Sequence, residues 1–209
     1  MTRGLSRSFF IGWDVGAWNC DKNRDSRDAI VIVNYERALV GSPWRGNLRE
    51  SINASADTRA FIKTLFFVCN ADVPTNAQVT LAIDTPLGFS VEFIQLVSHF
   101  EFIEAVGDWN ANPYLFRKTE RFLFQHGLTP LSAVKDMIGS QATKGMHVLA
   151  KFAPNINTCG VWEDGGQLTA IEAYPSACKK SESLSTVRRS IANWPCGDVD
   201  DRTDALHAP

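Results

Sequence analysis

Ser8-Phe9-Phe10-Ile11-Gly12-Trp13-Asp14-Val15 is the stretch on which the fold is decided. It is too short and too rich in bulky apolar side chains for an amphipathic helix. It therefore reads as a buried strand ending at Asp14, after which Gly16 lets the chain turn. A second stretch of the same kind, Val79-Thr80-Leu81-Ala82-Ile83, ends at Asp84 and is stopped at once by Pro86 and Gly88. Two apolar strands thus each close on an acid.

The rest of the chain is read outward from these two. Ala29 to Val33 is a β-branched run after the polar Asn19 to Asp28, which predicts a hairpin or a longer antiparallel connection, and Ala38 to Val40 would add a short third strand. Gly41 to Gly46 and Gly107 to Pro113 read as surface loops. From Asp57 the period changes: Ile62, Leu65, Phe66 and Cys69 fall at i, i+3, i+4 and i+7, the stripe of a helix packed on a core. Ser90 can cap a helix with Phe93, Leu96, Val97 and Phe100 inward. Another is expected from about Pro113 with Leu115, Phe116, Phe122 and Leu123 inward, and a third from about Ser140 with Ala142, Met146, Leu149 and Ala153 aligned. After Cys159, Gly160 to Trp162 and Leu168 to Tyr174 form a hairpin around Asp164-Gly165-Gly166, and Pro175 opens a short helix. Three antiparallel strands followed by alternating helices and parallel strands is the order of the ribonuclease H-like fold. The expectation is an α/β domain over 1–209 with a mixed sheet flanked by helices and a helical insert at about 90–157.

Composition narrows the classes. With 209 residues, 44% of them hydrophobic, the chain can bury a sizeable core. No stretch approaches the roughly 18 apolar residues of a membrane span, and no signal peptide is evident. Five scattered cysteines without a C-x-x-C pair, and four histidines without finger spacing, predict reduced thiols in a cytoplasmic setting, not a zinc site. A formal net charge of −2 argues against binding nucleic acid through overall charge and leaves room for a local basic patch. Oligomeric state is open, and a homodimer is compatible with the sequence.

In an open α/β sheet the ligand site lies beyond the carboxyl ends of the parallel strands, so Asp14 and Asp84 point to one place if their strands are neighbours. Carboxylates on strands about 4.8 Å apart repel, and a divalent cation such as Mg²⁺ or Mn²⁺ removes that cost. Two ions bridged by carboxylates hydrolyse phosphodiesters, with one activating water and the other stabilising the leaving oxygen. That chemistry needs a further acid, for which Glu172, Asp198, Asp200, Asp201 and Asp204 are candidates. Asp201 and Asp204 share a face of a prospective helix at i, i+3. The plainer alternative stays open for each: an Asp after a strand is also a turn former or helix cap, and an aspartate-rich tail is also a solvated segment.

Phe10-Ile11-Gly12-Trp13-Asp14-Val15-Gly16, Ile83-Asp84-Thr85-Pro86-Leu87-Gly88, Ile171-Glu172-Ala173-Tyr174-Pro175-Ser176-Ala177 and Asp201-Arg202-Thr203-Asp204-Ala205-Leu206 resemble, in this order, the signature blocks of a family of predicted nucleases with a ribonuclease H-like fold. That family is in turn distantly similar to Holliday-junction resolvases. The resemblance implies a metal-dependent nuclease with Asp14, Asp84 and Asp204 as metal ligands, and Asp201 and Glu172 as supporting ligands or water-orienting bases. Substrate contacts would come from the insert, where Arg117, Lys118 and Arg121 form one basic face and Lys144, His147 and Lys151 another. These are either phosphate clamps or solvated helix faces. Trp13, Trp18, Trp44 and Trp109 either stack on bases or pack in the core. Two rival readings stand beside the nuclease: a non-catalytic nucleic-acid-binding or scaffold domain, and an actin-like phosphotransferase suggested by Asp14-Val15-Gly16.

Overall fold

A computed structural model describes residues 7–178 and scattered positions from 181 to 189. The aspartates at 198, 200, 201 and 204 lie outside the described residues. Seven strands form one mixed sheet: β1 (Ser8–Asp14), β2 (Asp28–Asn34), β3 (Trp44–Gly46), β4 (Gln78–Asp84), β5 (Asn155–Thr158), β6 (Val161–Glu163) and β7 (Leu168–Glu172). Their spatial order is β3-β2-β1-β4-β7-β6-β5, with β1, β4 and β7 mutually parallel and the outer pairings antiparallel. The helices are α1 (Arg49–Ala54), α2 (Thr58–Val68), α3 (Val91–His99), α4 (Lys118–Gln125), α5 (Gly139–Phe152) and α6 (Pro175–Cys178). None is long and apolar enough to cross a membrane among the described residues.

The core follows from strand alternation. Phe9, Ile11 and Trp13 of β1, Val79, Leu81 and Ile83 of β4, and Leu168 and Ala170 of β7 bury one face of the sheet together with α2 and α5. α2 contributes Phe61, Ile62, Leu65 and Phe66 at helical spacing and begins where Asp57 accepts a hydrogen bond from the Ala60 amide. Phe61 stacks on Phe152 of α5 with ring centroids 4.3 Å apart, and this contact ties the two helices.

Four expectations change. The third strand is Trp44–Gly46, inside the segment read as a loop, while the run at Ala38–Val40 contributes only an isolated bridge between Val33 and Leu39. Gly46 matters there because an added Cβ would meet the Trp44 ring at 2.3 Å, so a small residue lets that ring fold back. α4 begins at Lys118 instead of about Pro113, and only Phe116 of its expected apolar set is fully buried. α3 forms where expected and is capped by Ser90, yet none of its residues is buried, and Val97 and Phe100 face outward. Periodicity locates a helix but not the surface that covers it. The edge strand β5 and the short α1 carry no pattern that announces them.

A cleft at the carboxyl ends of β1 and β4

Asp14 and Asp84 are direct partners in the β1–β4 register. Neighbours in register on parallel strands share a face, so alternation sends Trp13 and Ile83 into the core and sets the two acids side by side on the opposite face, at the strand ends. Both are partly buried and line a cleft of about 1180 Å³. That space exceeds the roughly 300–1,000 Å³ of typical small-molecule sites.

The connection after Asp14 is held from below. Asp28, fully buried, accepts hydrogen bonds at Oδ1 from Trp13 Nε1 (2.9 Å) and the Gly16 amide (2.7 Å), and at Oδ2 from the Leu48 amide (2.8 Å) and Lys144 Nζ (2.5 Å). Lys144 reaches on to the carbonyls of Gly16 and Ala17 and to Asn47 Oδ1, each at 3.4 Å. Gly16 is required here, since a Cβ would lie 2.4 Å from the Asp28 amide nitrogen. The sequence places Lys144 on a basic face offered for substrate contact, as a phosphate clamp or a solvated surface. Lys144 is fully buried and paired with Asp28, so it does not reach solvent to meet a phosphate. Asp28 itself went unnoticed in the sequence, where it looks like an ordinary strand-start acid.

Glu172 occupies the cleft wall, but the β4–β7 register pairs it with Ile83, not with Asp84. One residue out of phase puts it on the other face from the two aspartates. There Arg117 binds it in bidentate fashion, Nη1 to Oε2 at 2.8 Å and Nη2 to Oε1 at 2.5 Å, and Oε2 also accepts from the Leu87 amide at 3.0 Å. The same guanidinium holds Glu120 through Nε (2.9 Å) and Nη2, and Glu120 closes a capping box on the Arg117 amide. Burial alone would lower the Arg117 pKa, yet the hydrogen bonds and charges of Glu172 and Glu120 hold it above the ordinary arginine value. Arg117 is therefore committed to two carboxylates. Lys118, next to it, lines the cleft and is exposed, whereas Arg121 is not among the lining residues. The exposed Trp109 packs edge-on to Phe116 and Phe124, Trp13 belongs to the core, and Trp44, partly buried, packs against it. Trp18 packs against that core and donates from Nε1 to Thr143.

Tyr174 also lines the cleft, and its pKa is raised. Burial is the main cause, hydrogen bonds to Ser176 and Thr129 oppose it, and the negative charge of Asp84 adds to it.

Two adjacent carboxylates are hard oxygen donors and suit one Mg²⁺ or Mn²⁺, an ion that commonly takes one or two carboxylates and keeps several waters. They do not by themselves build a two-ion centre. Among the described residues no group of three or more His, Cys, Asp or Glu is arranged to hold a metal. The fold and the cleft define a mixed α/β protein with an acid pair at the ends of its central parallel strands. Comparison with family models, curated proteins and solved structures returns no match for this chain.

Proposed function

We propose that the chain is a divalent-cation-dependent phosphodiesterase acting on nucleic acid, built on a ribonuclease H-like fold, with Asp14 and Asp84 as the cation-binding pair. The observation that carries this reading is their direct register partnership at the mouth of the cleft. The strand order supports the fold assignment: three antiparallel strands lead into the parallel β1-β4-β7 set. A bound Mg²⁺ or Mn²⁺ would polarise a phosphoryl oxygen and supply an activated water. The chain's own part is to present the two carboxylates on a rigid strand pair. Glu172, gripped by Arg117, anchors the Leu87 amide and so fixes the turn behind Asp84. Of the two basic residues outside the Glu120–Glu172 clamp, Lys118 and Arg121, exposed Lys118 is the one that lines the cleft and can meet a phosphate. Asp201 and Asp204 are the candidates for further ligands that the family resemblance implies.

The test is cleavage of a panel of single-stranded, duplex and branched DNA and RNA. Turnover is expected with Mg²⁺ or Mn²⁺, to be silenced by EDTA, and to be lost in Asp84→Asn. At about tenfold excess over its dissociation constant, a cation bound by the folded chain alone adds about 1.4 kcal/mol and raises Tm by roughly 3 to 6 °C. Asp84→Asn should lose most of that shift. Equal cleavage in EDTA would sink the reading. The register that separates Glu172 from the acid pair favours, as a second reading, a nucleic-acid-binding domain without turnover. Binding that persists through the panel with no cleavage at any metal concentration selects it.

A further inference from the structure

The inner wall of the cleft holds two buried polar atoms that find no hydrogen-bond partner among the described residues: Oγ1 of Thr85 and Oε1 of Gln141. Each such atom costs about 1–3 kcal/mol when left unpaired, so two of them on one wall call for a partner that the described residues do not supply. Thr85 follows Asp84 directly and is 5% exposed. Gln141 lies on α5 one turn before Gly145 and on the same helix face. At Gly145 an added Cβ would come within 2.8 Å of Thr85 Cγ2 and 2.6 Å of Leu87 Cδ2, so glycine is what lets α5 close on the end of β4. The Thr85 methyl thus packs toward the helix, and the two polar groups belong to one corner of the cleft.

The chemistry of that corner is neutral. Of the two described cations that line the cleft, Arg117 is spent on Glu120 and Glu172, and Lys118 is exposed. The Thr85 hydroxyl can donate and accept, whereas the Gln141 amide accepts at an inward Oε1 or, turned over, donates from Nε2. The cleft lining also carries apolar side chains, among them Leu87, Ile138 and Trp162. A flat, uncharged group with mixed donors and acceptors along its edge fits this combination.

We infer that Thr85 and Gln141 recognise the edge of a nucleobase, so that the cleft takes a single unpaired nucleotide, base inward, with its phosphate toward Asp14 and Asp84. The inference rests on the phosphodiesterase reading for its choice of ligand and adds the substrate class: unpaired strands, or a nucleotide turned out of a duplex. A paired base has its Watson–Crick edge occupied and cannot make these bonds.

The experiment uses uncharged probes and no metal, which keeps it separate from turnover. The full chain in EDTA is titrated with the four deoxynucleosides and with 2-deoxyribose, and binding is followed by chemical-shift perturbation. At least one nucleoside should bind, with the bare sugar at least about tenfold weaker. Thr85→Val keeps the methyl against Gly145 and removes only the hydroxyl. It should weaken that nucleoside about fivefold while leaving Tm unchanged or higher, because an unsatisfied group is gone. Gln141→Leu should act in the same direction. Nucleoside and sugar binding alike, unchanged binding in Thr85→Val, or a lowered Tm in Thr85→Val would each overturn the inference, the last by showing that the hydroxyl serves the fold. Metal-dependent cleavage without nucleoside binding would overturn it and leave the phosphodiesterase standing. Nucleoside binding without cleavage would do the reverse.

Discussion

Helix α5 reaches two sites beside the β1–β4 strand ends with residues only three apart, and the two sites are built on opposite rules. Lys144 enters a fully buried network in which both oxygens of Asp28 are used and its own ammonium finds four acceptors. Gln141, less than one turn earlier, presents a buried amide oxygen with no partner among the described residues, and the Thr85 hydroxyl is in the same condition. The burial of an ion pair is tolerable only when every remaining hydrogen-bonding position is filled, and the Asp28 site meets that demand. The cleft corner does not, and it is the corner that opens onto space. The contrast teaches that polarity alone does not mark a functional site. Lys144 is the more polar residue and serves the fold, whereas the neutral pair is the one left with something to bind.

The largest expected effect comes from breaking the satisfied side. Lys144→Met removes the ammonium paired with Asp28, whose other partners among the described residues are the Trp13 indole and the Gly16 and Leu48 amides. The stranded carboxylate should cost about 3–5 kcal/mol, a fall in Tm on the order of 10 °C for a chain of this size. Adding Asp28→Asn to Lys144→Met takes away the unpaired charge and should recover part of the loss. A Lys144→Met variant within about 1 kcal/mol of the parent would mean that the network is not holding the turn after Asp14, and the comparison would fail.

A smaller loss is expected at the clamp on the cleft wall. Arg117→Leu leaves Glu120 and Glu172 facing one another, and Glu172 Oε2 keeps only the Leu87 amide. Their side chains are 4% and 18% exposed, so water relieves Glu172 more than it would a fully buried acid. A destabilisation of about 2–3 kcal/mol, read by urea unfolding, is the expected outcome. If Arg117 were instead a free phosphate clamp, the substitution would leave stability within about 0.5 kcal/mol of the parent and change only the salt dependence of binding.

These two arginine and lysine positions also show where sequence reading stops. The strands ending at Asp14 and Asp84 were legible because continuous apolar runs bounded by Gly and Pro have few alternatives, and their register partnership followed once they were neighbours. The α2 stripe, α6 starting at Pro175 and the hairpin around Asp164-Gly165-Gly166 were legible for similar local reasons. Asp164 accepts the Gly166 and Leu168 amides within that turn. Lys144 was not legible, because Lys144, His147 and Lys151 at helical spacing look like a polar face. The acid that makes Lys144 a core residue lies 116 positions away, at Asp28. Glu172 lines the same cleft as Asp14 and Asp84, but its partnership with Arg117 was not legible for another reason. Its strand was recognised, but strand phase relative to Asp84 is set by pairing, and a shift of one residue changes the face. Gln141 belongs to no motif, and Thr85 stands in the Ile83-to-Gly88 block without any role that the block assigns to it. Only the absence of partners in three dimensions distinguishes them.

The smallest effect tests the joint between the two sides, Gly145, which follows Lys144 and lies one turn beyond Gln141. Alanine is favoured over glycine in a helix interior by up to about 1 kcal/mol, so a surface position would gain from Gly145→Ala. Here the new Cβ would meet Leu87 Cδ2 at 2.6 Å and Thr85 Cγ2 at 2.8 Å, while Ile83 Cγ2 at 3.5 Å is in ordinary contact. The end of the Leu87 side chain can rotate away, but Thr85 is short and β-branched and can yield only by turning about χ1 or by moving α5 outward. Overpacking of this kind costs about 1–3 kcal/mol, so it offsets the helix gain, and we expect a net loss of about 1 kcal/mol by thermal unfolding. The informative part is what accompanies that modest loss. Lys144 should keep its partners, so the protein stays folded, whereas any turn of Thr85 re-aims its hydroxyl and should weaken nucleoside binding at least as much as Thr85→Val does. If Gly145→Ala is more stable than the parent and binds nucleosides equally well, α5 does not press on the end of β4, and the shared corner of Thr85 and Gln141 loses its geometric basis.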